Sequence, residues 1–96
     1  MEKLNTLHIV AGSPFQNGAL DRCLKAAREN DGILLIEDGV YSWQLLQSFM
    51  TERTLSGYVL EPDIIARNLE PTPLNRVSYD DFVELCTRYS KTVSWF

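Results

Sequence analysis

Two thiols and one imidazole are the side chains of this 96-residue chain best suited to nucleophilic, redox or metal chemistry. Cys23 and Cys86 stand too far apart in sequence to form a C-x-x-C redox or zinc motif. His8 is the only histidine, so one chain cannot assemble a four-ligand zinc site from cysteine and histidine. A reducing cytoplasm would keep the two cysteines out of a disulfide. What is left is thiol chemistry at each cysteine separately. The reactive species there is the thiolate, which needs exposure and a nearby helix N-terminus or cation to lower its pKa. His8 lies within an apolar run, Leu7-His8-Ile9-Val10. That position favours a strand histidine satisfied by a backbone group, or covered at an interface, over a catalytic one.

A phosphate-binding loop is the other chemistry to consider, at Ala11-Gly12-Ser13-Pro14-Phe15-Gln16-Asn17-Gly18. Flavodoxin-like proteins wrap a phosphate at this point with free N–H groups from small residues. Pro14 removes one donor, and Phe15 and Gln16 are bulky where the backbone would have to come close. The loop therefore argues against a flavin or nucleotide, and no cofactor or metal is expected. Ser13 with Gln16 could form a capping box with Pro14 at the first helical position, while Asn17-Gly18 favours a later start.

The elements that must position these residues centre on Asp31-Gly32-Ile33-Leu34-Leu35-Ile36-Glu37-Asp38-Gly39-Val40-Tyr41. An unbroken aliphatic run this short reads as a strand buried on both faces, at the middle of a parallel sheet. Glu37, Asp38 and Gly39 then fall at its carboxyl end, where open α/β sheets carry ligand and partner surfaces. Leu4 to Val10 reads as the first strand. Ala19 to Arg28 reads as a helix with Leu20, Cys23, Leu24 and Ala27 on one apolar face. Cys23 on that face behaves as a small hydrophobe, and it lies past the first turn, where the helix dipole has faded. Val40 to Met50 fits a short helix with Leu45, Phe49 and Met50 inward and with Tyr41 and Trp43 at the surface. Leu55 to Leu60 is a third strand, and Asp63 can cap a helix from Ile64 to Leu69. Arg76 to Tyr79 is a short fourth strand. Asp80 or Asp81 caps a last helix whose inner face is Phe82, Leu85, Cys86 and Tyr89, which makes Cys86 a core residue. Thr92 to Phe96 reads as a final edge strand, and its aromatic end invites cover from another chain.

Strands alternating with helices give a single α/β domain over residues 1–96, an open, mostly parallel sheet with helices on both faces. An apolar fraction of 45% is ordinary for a globular chain. No apolar run approaches a membrane span, and the first residues lack a secretory pattern, so the expected location is the cytoplasm. Nine basic against thirteen acidic residues give a net charge of −4, and the basic residues are scattered. Direct nucleic-acid binding is disfavoured, because that affinity rests on clustered Lys and Arg.

Three motifs occur in order along nearly the whole chain: Leu7-His8 with Ser13-Pro14-Phe15; Ile33-Leu34-Leu35-Ile36-Glu37-Asp38-Gly39-Val40-Tyr41; and Tyr58-Val59-Leu60-Glu61-Pro62-Asp63-Ile64-Ile65-Ala66-Arg67 before Tyr79-Asp80-Asp81-Phe82-Val83 and Ser94-Trp95. Together they resemble the TusB/DsrH family of sulfur-relay subunits. The resemblance implies a DsrE/DsrF-like fold and a heterohexamer with homologous TusC/DsrF-like and TusD/DsrE-like subunits. It further implies transfer of persulfide sulfur from an upstream carrier toward a downstream one. The end point is 2-thiolation of the tRNA wobble uridine in one branch and sulfur oxidation in the other. The main sulfur-carrying cysteine is implied to lie on a partner. Cys23 matches a first-helix cysteine of DsrH-type sequences, which makes it the candidate persulfide carrier of this chain. The competing reading is a subunit that completes the assembly without carrying sulfur. Tyr41, Trp43, Trp95 and Phe96 are the candidate interface residues, since large aromatics near a sheet's carboxyl edge serve protein contacts more often than cofactors.

Overall fold

The computed structural model describes residues 4–13, 18–50, 52–69 and 73–96. The proposed capping box through Pro14 and Gln16 falls outside them. Five strands, β1 (Leu4–Val10), β2 (Gly32–Leu35), β3 (Ser56–Leu60), β4 (Asn75–Val77) and β5 (Tyr89–Trp95), form one sheet in the order β4-β3-β2-β1-β5. Every pairing is parallel. The aliphatic run is the middle strand, and all of β2 is buried. Register places Val10 beside Leu35 on one side and beside Trp95 on the other.

This strand order dictates where the helices go. From β1 to β4 the chain steps in one direction, so right-handed crossovers put all three connections on one face. These are α1 (Ala19–Ala26); a 3-10 helix over Glu37–Ser42 that runs into α2 (Trp43–Met50); and α3 (Glu61–Ala66). From β4 the chain returns past β3, β2 and β1, and the same handedness puts α4 (Tyr79–Arg88) on the opposite face. Two apolar clusters result. Val10, Ile33, Leu35 and Val59 meet Leu20, Cys23 and Leu24 of α1, Leu46 of α2 and Ile64 of α3. On the other face Leu7, Leu34, Leu60 and Val77 meet Leu85 and Tyr89, with Phe82 and Cys86 packed alongside. Among the described residues no helix is long and apolar enough to cross a membrane.

Several local expectations need correction. α1 begins at Ala19 as expected, after Gly18, whose φ of 63° is left-handed, a conformation open to glycine at little cost. It ends at Ala26, two residues short of the expected Arg28. In α2 the inward residue is Leu46, at 0% exposure, while Leu45 is 40% exposed and Phe49 and Met50 are half-buried. The 3-10 turn ahead of α2 sets the helix phase, and periodicity alone does not register it. Helix α3 starts at Glu61 rather than Ile64, with Pro62 in its first turn. Asp63 is therefore inside the helix and cannot cap it. Ser78, not Asp80 or Asp81, caps α4 by accepting the Asp81 N–H at 3.1 Å. Tyr89 opens β5 instead of closing α4. Gly39 lies so close to the carbonyl oxygen of Val10 that a Cβ would collide with it. The turn after β2 thus lies directly on the end of β1.

Candidate functional site

Cys23 sits in the middle of α1 with no exposed surface. Burial pushes its thiol up to about 12; the Asp31 carboxylate adds to this and the Arg53 guanidinium partly offsets it. The Arg53 cation is oriented by the end of α1 rather than by the sulfur, for it donates to the carbonyls of Leu24 at 2.8 Å and Ala27 at 2.6 Å. Those carbonyls belong to the helix C-terminal region, where a cation is favoured. Cys86 is half-buried against the second cluster, and burial also raises its thiol. Neither sulfur has the exposed, cation-flanked setting that stabilises a thiolate.

The most constrained polar group is one that sequence reasoning left unassembled. The His8 Nε2 lies 2.9 Å from Asp31 Oδ2, and the Trp95 indole N–H donates to His8 Nδ1 at 3.1 Å. An indole N–H can only donate, so Nδ1 supplies the lone pair and Nε2 carries the proton toward Asp31. Asp31 also accepts the Thr6 N–H at 3.1 Å and the Arg28 N–H at 2.9 Å. Burial would raise its carboxyl, but the Arg28, His8 and Thr6 donors outweigh that and hold it below its ordinary value. His8 is thus satisfied by two side chains, not by the expected backbone group. Asp31 read only as part of a helix stop. The available signal was an acid directly before the central strand and a histidine inside the neighbouring one, and the parallel register brings the two within reach.

At the carboxyl edge the Glu37 backbone and the Asp38 carboxylate are tied down. Glu37 takes a left-handed φ of 50° and donates its N–H to Asp63 Oδ2 at 2.6 Å. Arg67 holds Asp38 Oδ1 through Nε at 3.0 Å and Nη2 at 2.9 Å, and its guanidinium lies 6.0 Å from the centre of the Tyr41 ring. Of the candidate interface aromatics, Tyr41 is 42% exposed and Phe96 is 72% exposed. Trp43 and Trp95 are half-buried and pack against the first cluster. The Phe96 carbonyl accepts from Arg22 Nη2 at 2.8 Å, which fixes the end of the chain against α1.

This arrangement offers buried sulfur, a rigid polar lock and aromatic groups at one edge, a combination suited to recognition. A model of the DsrH like protein family matches residues 12–92. Protein TusB of Pectobacterium parmentieri is 31% identical over 96 residues, covering 93% of this chain and 99% of its own length. Protein TusB of Yersinia pestis (strain Pestoides F) is 33% identical with the same coverage. Those matches, spanning nearly all of the parallel sheet and its helices, show that the chain belongs to the DsrH-like family.

Proposed function

We propose that this chain is an assembly subunit of a sulfur-relay complex, joined to homologous TusC/DsrF-like and TusD/DsrE-like subunits in the cytoplasm. Membership in the DsrH-like family supports the sulfur-relay role. The complex would take persulfide sulfur from an upstream carrier and pass it toward 2-thiolation of the tRNA wobble uridine. The observation that carries the assembly reading is the state of Cys23. A thiol at about 12 leaves roughly one thiolate in ten thousand or fewer near neutral pH, and its sulfur is out of reach of a donor. Persulfide transfer proceeds by attack of a thiolate on a sulfane sulfur, so the carrying cysteine is assigned to a partner. Tyr41, Trp43, Trp95 and Phe96 supply the contact surface.

Mass spectrometry of the purified complex after exposure to a persulfide donor tests this. One added sulfur on a partner and none on this chain is the expected result. Sulfur on Cys23 in the assembled complex would instead make this subunit a carrier, with α1 shifted by its partners. Partner identity decides the pathway, since sulfur-oxidising partners would place the chain in that branch.

A further inference from the structure

We propose that the open cleft between α1 and β5 binds a small organic anion through a phosphate- or sulfate-type group. The cleft follows from element lengths. Strands β1 and β5 have seven residues each, about 23 Å of extended chain. Helix α1 has only eight, about 12 Å. It runs back from the carboxyl end of β1 and stops at Ala26, so among the described residues α1 does not reach the amino-terminal ends of β1 and β5. There the structure holds a cavity of about 570 Å³, lined among others by Thr6, His8, Arg28, Lys91, Val93 and Trp95. Its size is that of ordinary small-ligand sites.

Charge selects the ligand class. Arg28 and Lys91 are exposed, and neither side chain makes an ion pair or hydrogen bond among the described residues. Among the described lining residues Asp31 is the one acid, and it is 3% exposed. Its oxygens face the N–H groups of Thr6 and Arg28 and the His8 ring, so its charge is answered from inside the fold. The lining thus presents two unanswered cations in a chain of net charge −4. An oxyanion would bridge Arg28, through a guanidinium fork, and Lys91. Ala26, Val93 and the Trp95 ring give an apolar wall for the rest of the molecule. The His8–Asp31–Trp95 chain holds the Trp95 ring of that wall in place before the ligand arrives. Binding here is independent of sulfur transfer.

Inorganic phosphate serves as the probe for the anionic group, titrated into the full-length chain at constant ionic strength and followed by 1H–15N NMR. The Trp95 indole and Lys91 amide resonances should move together and saturate in the millimolar range. Arg28→Gln and Lys91→Gln should each weaken binding at least about fivefold, and the double variant should abolish it. Arg76→Gln, on the far edge strand β4 with its cation 3.7 Å from Glu61 of α3, should bind as the parent does. Acetate and sulfate titrations separate the anion types, with sulfate expected to resemble phosphate and acetate to be weaker. Non-saturating shifts, equal shifts with chloride, or binding unchanged in the double variant would each overturn the proposal.

Discussion

Cys23 and Asp31 illustrate how far a residue's chemistry is set by its surroundings. Cys23 was readable as a small hydrophobe from its place on the apolar face of α1, and its depth in the fold agrees with that. Nothing in the spacing announced the proximity of Asp31, which further disfavours a thiolate. In the native chain a thiol-alkylating reagent should therefore modify Cys86 well before Cys23, and both should react at similar rates in denaturant. Peptide mapping after timed alkylation checks this. Cys23→Ser places a hydroxyl in the first cluster and should cost about 1–3 kcal/mol, measured by urea unfolding, whereas Cys86→Ala should cost about 1 kcal/mol. Asp31→Ala removes a charged acceptor from two backbone N–H groups and His8, a loss of about 2–3 kcal/mol at neutral pH. The folded state favours the Asp31 carboxylate, because its pKa is lowered from the ordinary 3.8. That contribution is fully present above pH ~4 and disappears as pH falls through the lower folded value. The stability gap between parent and Asp31→Ala should accordingly narrow only on strong acidification. A gap that stayed constant down to pH 2 would mean that Asp31 acts by shape alone.

At the scale of elements, strand positions were legible wherever side chains face two buried layers. Ile33 to Ile36 could be read as the middle of a parallel sheet because no polar residue interrupts the run, and β1 was placed to the residue although Asn5, Thr6 and His8 interrupt its apolar content. Helix phases were harder. The Glu37–Ser42 turn shifted the inward face of α2 by one residue, from Leu45 to Leu46. The turn exists because Gly39 seats its backbone on Val10 and Asp63 holds the Glu37 N–H, both long-range contacts that no local window contains. The same contact explains why Asp63 resembled a cap without being one. At α4, Ser78→Ala should lose the bond to the Asp81 N–H and destabilise the fold by about 1 kcal/mol. Asp80→Ala should cost less, since Asp80 only complements the helix dipole. Thermal unfolding of the two variants separates the roles, and an equal loss in both would contradict the Ser78 assignment. The His8–Asp31–Trp95 lock was illegible as a unit because its members lie on three adjacent strands or their approaches, and only the strand order brings them together.

For the whole molecule, the parallel arrangement has a consequence for assembly. All five strands end on one side, so the turn after β2 and the end of β5 share an edge, two strand spacings or about 10 Å apart. Phe96 stands there largely uncovered and Tyr41 partly so, while Trp43 and Trp95 spend most of their surface on this chain's own core. The four aromatics therefore should not respond alike. Phe96→Ala removes an exposed group and should leave the isolated chain within about 0.5 kcal/mol of the parent, while Tyr41→Ala also gives up the Arg67 contact and should cost about 1 kcal/mol. Trp95→Ala breaks the bond to His8, and Trp43→Ala opens the first cluster, so each should cost the isolated chain about 3 kcal/mol or less, tempered by partial exposure. If the carboxyl edge is the partner surface, Tyr41→Ala and Phe96→Ala should still weaken co-purification with the homologous subunits, because exposed aromatics are the groups an interface desolvates to greatest effect. Circular dichroism of each variant alone, beside its yield in the co-purified complex, keeps loss of folding distinct from loss of contact. Full assembly by a correctly folded Tyr41→Ala, Phe96→Ala double variant would remove this edge from the interface and turn attention to the opposite face. Among the described residues that face is covered by α4, which carries the exposed Tyr79 and Val83.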